Sequence, residues 1–244
     1  MLILKNNLFE YEPYPYGYFN DILDIDFYRS LCNEFPEKND LKIAEDKKKY
    51  NLNKFNKFSL TNDDKEFNSI IKKKPSFKKL YEYLDSEDFI SKISDILIEN
   101  NIDLQLQYYF KKFFVRKRKY NIFFEFSSIP CDGGFILPHT DAPKKVMTFI
   151  IPIIKDEEKD IENFEKIGTS ILAMSDNKFS FNYFNKTIKY ENTLEKKYVN
   201  FSRNNMLMFI KTYNSLHSVG PIQPLNPSIK FRNSITFSLR KNVD

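Results

Sequence analysis

Two histidines are all that this chain of 244 residues contains, and both stand where they could hold a metal. His139 lies in Pro138-His139-Thr140-Asp141, and His217 in Ser215-Leu216-His217-Ser218-Val219. A His-x-Asp pair with a distant second histidine is the sequence form of a two-histidine, one-carboxylate facial triad. That donor set suits a non-haem iron(II) and leaves coordination positions open for substrates. Residues two apart on a strand share a face, so His139 and Asp141 are expected to reach one ion together. Cysteine, the commoner ligand of structural zinc, is absent from both segments, although a catalytic zinc on the same three residues is a competing assignment.

Arg232 extends the pattern. In Phe231-Arg232-Asn233-Ser234-Ile235-Thr236-Phe237-Ser238-Leu239, positions 231, 235, 237 and 239 are apolar, while Arg232, Ser234 and Thr236 fall on the other face. An inward guanidinium is costly unless it meets an anion, and its planar fork matches a carboxylate through two parallel hydrogen bonds. The Ser234 hydroxyl, on the same face, adds another donor. An iron triad with an Arg-x-Ser strand therefore points to a dicarboxylate co-substrate.

Two kinds of segment must position these residues. Up to about residue 103 the apolar spacing is mainly helical. Asp24 or Asp26 can cap a helix carrying Phe27, Leu31 and Phe35 and stopped by Pro36. Lys65 to Lys73, a segment from Ser76, and another from Asp85 or Ser86 with Phe89, Ile90, Ile93 and Leu97 read as further helices. Residues 38 to 64 are polar, rich in Lys, Asn and Asp, and read as an exposed loop. From residue 104 the runs become short, β-branched and aromatic: 104–110, 121–127, 146–154, 168–174, 179–184, 206–211 and 231–239. Seven such strands without intervening helices argue for an antiparallel sandwich or barrel in one domain. Asp132-Gly133-Gly134 is expected to make a tight turn that needs positive-φ backbone.

With these residues in place, the chain resembles the Fe(II)/2-oxoglutarate-dependent oxygenases, and within them bacterial and phage members related to the prolyl-hydroxylase branch. The resemblance is carried by His139-x-Asp141 after a Gly-Gly turn, His217 with Val219 two further on, and Arg232-x-Ser234. Gly168-Thr169 and the entry Pro13-Tyr14-Pro15-Tyr16 with Leu23-Asp24 add to it. It covers residues 105 to 240 well and 10 to 100 more loosely. The resemblance implies a mainly β, α+β fold: a double-stranded β-helix (jelly-roll) core over 104–244 with a helical N-terminal support over 1–103. It implies that His139, Asp141 and His217 bind Fe(II), that Arg232, with Ser234 and Val219, holds 2-oxoglutarate, and that O2 is consumed. The implied reaction is hydroxylation of a C–H bond with decarboxylation of 2-oxoglutarate to succinate. Related halogenases lack the carboxylate that Asp141 supplies, which favours hydroxylation.

Composition bounds the alternatives. Aromatic residues make up 16% of the chain, enough to build a sizeable core and to speak against intrinsic disorder. Cys32 and Cys131 show no disulfide framework, Met1 to Asn7 turns polar too early for a signal peptide, and no stretch is apolar enough to span a bilayer. A cytoplasmic protein acting on a small-molecule or peptidyl substrate is expected. The net charge of +5 accompanies a general excess of Lys and Asn and does not by itself indicate a nucleic-acid partner. A nucleic-acid demethylating dioxygenase would carry a second Arg six residues after the first, where Ser238 stands. The other alternative is a non-catalytic, cupin-like metal-binding module.

Overall fold

The computed structural model describes residues 1–4, 9–43, 57–104, 106, 109–111, 115–117, 120–159, 164–176, 182, 185–223 and 229–242. Seven strands build the large sheet: β1 Tyr16–Phe19, β2 Lys42–Ile43, β3 Phe58–Thr61, β6 Tyr120–Pro130, β8 Lys145–Ile153, β11 Met206–Ile210 and β13 Phe231–Lys241. They lie in the order β1-β11-β8-β13-β6-β3-β2. A four-stranded sheet of β7 Ile136–His139, β9 Thr169–Met174, β10 Thr193–Val199 and β12 Leu216–Val219 faces it, ordered β10-β9-β12-β7. A short hairpin of β4 Tyr109–Lys111 and β5 Val115–Lys117 forms a separate two-stranded sheet. The pairings within both large sheets are antiparallel, as the runs of β-branched and aromatic residues suggest.

The large sheet is two-faced because its central strands alternate. On β13, Ile235, Phe237 and Leu239 face the main apolar cluster, joined there by Phe124 and Phe126 of β6 and by Met147, Phe149 and Ile151 of β8. Phe149 and Phe237 stack with ring centroids 4.5 Å apart. Against this face lie α1 Ile25–Glu34, α2 Phe67–Lys72, α3 Pro75–Leu84 and α4 Glu87–Glu99. Their buried side chains, such as Leu31, Phe77 and Phe89, belong to the same cluster, so helices and sheet bury apolar surface jointly. Asp24 caps α1 by accepting from the backbone N–H groups of Asp26 and Phe27, each at 3.1 Å. Ser86 caps α4 through Phe89 N–H at 3.3 Å, and Pro75 sits in the first turn of α3, where its missing N–H costs nothing.

The opposite face carries Arg232, Ser234, Thr236 and Ser238, a polar strip turned towards the small sheet. Two minor apolar clusters tie the sheets together. Tyr16, Leu207 and Phe209 meet Ile171 and Val199 in one, and Ile129, Ile154 and Phe164 meet Phe201 and Val219 in the other.

Several expectations need correction. The first 103 residues are not only helical, because β1, β2 and β3 extend the large sheet at its two edges. The segment 38–64, which reads as a loop, contains β2 and β3. Ser59 and Leu60 are buried beside β6, and their polar neighbours hide that pairing from the sequence. Thr193–Val199 also forms a strand, with exposed charged residues that mask its period. In place of one strand over 104–110, the described residues there show only the hairpin strand β4. The strand expected at 179–184 lies outside the described residues except for Asn182.

The turn after β6 has the form expected of Asp132-Gly133-Gly134, with the two glycines needed for different reasons. Gly133 has φ 71°, a conformation that favours glycine. Gly134 lacks room: a Cβ there would lie 2.2 Å from Pro130 O and 2.7 Å from Ile129 Cγ2. Gly134→Ala should therefore destabilise the protein by roughly 1–3 kcal/mol, lowering the thermal midpoint by about 2–4 °C per kcal/mol. Gly220→Ala, whose added methyl would meet nothing within 4 Å, should leave the midpoint within about 1 °C in the same calorimetric scan.

Candidate metal centre and anion site

His139 ends β7 and His217 lies in β12, and the two are direct cross-strand partners. Pairing two histidines across adjacent antiparallel strands brings their rings together, with centroids 4.4 Å apart. Asp141 completes the group: among the described residues, His139, Asp141 and His217 are a set whose potential ligand atoms all lie within 4.8 Å of one another. Distance in sequence is erased by the pairing of β7 with β12.

The reason Asp141 points inward differs from the expected strand alternation, because β7 ends at His139. Asp141 sits in the following turn, and its side chain is held from outside that turn. Lys145 Nζ donates to Oδ1 at 2.8 Å, and Thr148 Oγ1, on β8, donates to Oδ2 at 2.6 Å. Thr148 in turn lies 3.1 Å from Ser238 Oγ on β13. Thr140, fully buried between the two ligands, donates to Asn182 O at 2.6 Å and anchors the turn.

Proton positions follow from the partners. His139 Nδ1 lies 2.8 Å from Leu137 O, and His217 Nδ1 3.0 Å from Ser215 O. A carbonyl can only accept, so Nδ1 carries the proton in both rings, and each Nε2 presents its lone pair to a metal. Burial and the neighbouring His217 hold His139 neutral, with its pKa pushed down to about 3. Burial likewise lowers His217. Burial alone would raise the Asp141 carboxyl, but Lys145, His217 and His139 outweigh it and keep the group well below the usual carboxylate range. Two neutral imidazoles and one carboxylate are the protonation states that metal binding requires. With nitrogen and oxygen donors and no thiolate, the set fits a divalent cation of borderline hardness such as iron(II).

The triad opens into a cavity of about 80 Å³ that also reaches Arg232, Ser234, Val219 and Thr236. The residues singled out from the sequence thus line one space. Arg232 is only 2% exposed. Its Nε donates to Ile167 O at 2.5 Å, its Nη2 to Thr169 Oγ1 at 3.3 Å, and its guanidinium lies 4.2 Å from the centre of the Phe201 ring. No carboxylate among the described residues pairs with it. Burial lowers its pKa to about 10, so it remains charged at neutral pH, a buried cation held by neutral groups among the described residues.

Among the cavity-wall residues that sequence reasoning misses are the hydroxyl of Thr148 and the charges of Lys145, Lys57 and Glu125. Thr148 has a signal, as the single hydroxyl within the apolar run Val146-Met147-Thr148-Phe149-Ile150. The other three look like ordinary surface charges until the strands are paired.

The buried imidazoles make stability depend on pH. Below about pH 6.5 unfolded histidines take up protons, whereas folded His139 stays neutral down to about 3. The unfolded state then binds more protons, so stability falls as pH drops through this window. The slope approaches at most about 1.4 kcal/mol per pH unit for each such histidine. Thermal midpoints of the metal-free protein between about pH 7 and about pH 4.5 should show this decline, and His139→Gln should reduce it. A flat profile, or an unchanged slope in the variant, contradicts neutral burial.

No protein-family model matches the sequence, and no curated protein matches it. Solved structures do match along most of the chain. A Pseudomonas putida prolyl-4-hydroxylase is similar with a TM-score of 0.50 at 13% identity, over 93% of this chain and 92% of that one. A Trichoplax adhaerens prolyl hydroxylase, solved with a peptide fragment of the hypoxia inducible factor oxygen degradation domain, gives 0.52 at 12% identity over 93% and 83%. A Phytophthora capsici prolyl 4-hydroxylase gives 0.50 at 14% identity over 93% and 58%. Identities this low speak to architecture alone. By fold, this chain is a double-stranded β-helix of the kind on which these prolyl hydroxylases are built.

Proposed function

We propose that the protein is an Fe(II)- and 2-oxoglutarate-dependent dioxygenase that hydroxylates a C–H bond. The observation that carries this reading is the pairing, in one cavity, of a His-Asp-His donor set with a buried guanidinium that has no carboxylate of its own among the described residues. A metal alone would not call for Arg232, and an anion site alone would not call for two Nε2 lone pairs. Together they suit a ligand that chelates a metal at one end and carries a carboxylate at the other.

Within that reading each residue has a defined task. His139 and His217 supply Nε2, with the Nδ1 protons fixed on Leu137 O and Ser215 O so that neither ring turns away. Asp141 supplies one oxygen while Lys145 and Thr148 restrain the carboxylate. Arg232 takes the distal carboxylate of 2-oxoglutarate, with the Ser234 hydroxyl as a further donor and Val219 as an apolar wall. When bound, iron(II) supplies the activation of O2 that couples loss of CO2 from 2-oxoglutarate, leaving succinate, to insertion of one oxygen atom into the substrate. The walls exclude bulk water and fix orientation. The presence of Asp141, where halogenases make room for halide, favours hydroxylation.

Anaerobic addition of Fe(II) and 2-oxoglutarate should give a weak visible charge-transfer band. That band should be absent in His217→Ala. Its absence in the wild-type protein, or its persistence in the variant, would overturn the assignment. Arg232→Met should weaken 2-oxoglutarate binding about 30-fold or more, from the loss of roughly 2–4 kcal/mol in a charge-assisted pair. The thermal midpoint of the unliganded variant should change little, because removing a buried charge that has no carboxylate beside it among the described residues offsets the loss of the hydrogen bonds to Ile167 O and Thr169 Oγ1. Thr148→Val, which is nearly isosteric, should lower Fe(II) affinity about 10- to 100-fold by freeing Asp141 Oδ2. Equal affinity in a metal titration would remove Thr148 from the site.

A further inference from the structure

We propose that Lys57 and Glu125 are the substrate-recognition pair of this cavity, and that the substrate is a free α-amino acid bound through its own ammonium and carboxylate. The inference rests on the oxygenase reading above and goes beyond it in naming the substrate class. Lys57 Nζ lies 2.8 Å from Glu125 Oε1, with the two side chains only 22% and 11% exposed. Both line the cavity that holds the triad, and neither takes part in the hydrogen-bond network around Asp141. An ion pair taken out of water gains little net stability, since desolvation offsets the attraction. Stability is thus a weak reason for one to stand on the wall of a reaction cavity, and a charged ligand is a stronger one.

Position supports this. Glu125 is the cross-strand partner of Thr236, and Thr236 is the partner of Ile150, two residues from Thr148. Two strand spacings sideways and two residues along put the Glu125 and Thr148 backbones about 12 Å apart. A span of that order is on the scale of one small molecule, its charged end at Glu125 and Lys57 and its side chain towards the triad. A carboxylate beside an ammonium is the mirror of a zwitterion's two charges, so a zwitterion laid head to tail satisfies both. The hydroxyls of Ser127 and Thr236 line the same wall. An internal peptide residue carries neither charge and would have nothing to exchange with the Lys57–Glu125 pair.

Charge refines the class. Among the described lining residues, Lys57, Lys145 and Arg232 stand against Glu125 and Asp141, an excess of one positive charge. The opposite charges of iron(II) and 2-oxoglutarate leave that excess unchanged. Acidic and neutral amino acids should therefore bind better than lysine or arginine.

The test is calorimetric titration of the twenty L-amino acids into the metal-free protein and into protein loaded anaerobically with Fe(II) and 2-oxoglutarate. Succinate release in air is measured alongside. At least one free amino acid should bind one of the two forms and stimulate succinate release. Its N-acetyl amide should bind 100-fold more weakly or worse. Glu125→Gln and Lys57→Met should each weaken binding at least 10-fold. The double variant Lys57→Met/Glu125→Gln, which strands no lone charge, should fold as the wild type does and bind no amino acid. The inference is overturned if no amino acid binds either form, if the blocked derivative binds as well as the free one, or if the double variant binds normally. The charge-transfer band of the wild-type protein before any amino acid is added reports separately on the oxygenase reading. A band without amino-acid binding sinks only the assignment of the substrate.

Discussion

An ionised carboxylate held between two β-sheets is the constraint from which the arrangement of the cavity follows. Asp141 has few backbone neighbours to stabilise its charge, since the strand has ended before it. Charge and hydroxyl therefore come from the next strand, as Lys145 and Thr148. Those two residues require β8 to present its polar positions to the cavity, and the antiparallel register then assigns Ser238 as the neighbour of Thr148. Each added polar group inside a sandwich must find a partner or a ligand. The inner face of the large sheet meets that demand by being polar along a whole strip, from Ser238 to Arg232.

The apolar residues are displaced to the other side. Alternation along β6, β8 and β13 sends the aromatic side chains to the helices, where Phe77, Phe89, Phe124, Phe126, Phe149 and Phe237 are fully buried. The helical layer is thus more than an accessory. Without it, one face of the large sheet would expose a continuous aromatic surface, and the sheet could not devote its other face to a charged cavity. A chain rich in phenylalanine and lacking tryptophan builds this layer from edge-to-face contacts, such as Phe77 with Phe126 at 4.8 Å.

Likeness to prolyl hydroxylases at 12–14% identity fits this division of labour. The architecture demands only periodicity: apolar residues on one face, a few fixed turns, and strands long enough to pair. Many sequences satisfy it. The candidate metal ligands are few, three side chains among the described residues, and the architecture places little demand on the rest of the cavity wall. Lys57 and Glu125 stand in that wall, apart from the His-Asp-His group and from Arg232.

How much of this was legible in the chain depends on the range of the forces involved. His139, Asp141, His217 and Arg232 could be singled out because metal and carboxylate chemistry restricts residue type so strongly that two histidines in a whole chain are informative. The period-two runs of β6, β8 and β13 were equally visible, as were the helices starting after Asp24 or Asp26 and after Asp85 or Ser86, because alternation and capping act within a few residues; the structure selects Asp24 and Ser86 as the caps. The strands at 58–61 and 193–199 were hidden, since one is short and the other mostly exposed and charged, and their pairing is set by neighbours far along the chain. So too were the side chains of β8 that hold Asp141 inward, and the meeting of Lys57 with Glu125. Local sequence determined which groups were available and which segments could become strands. Register across the sheets decided which charges face one another, because only burial beside a particular neighbour tells a paired lysine from a solvated one.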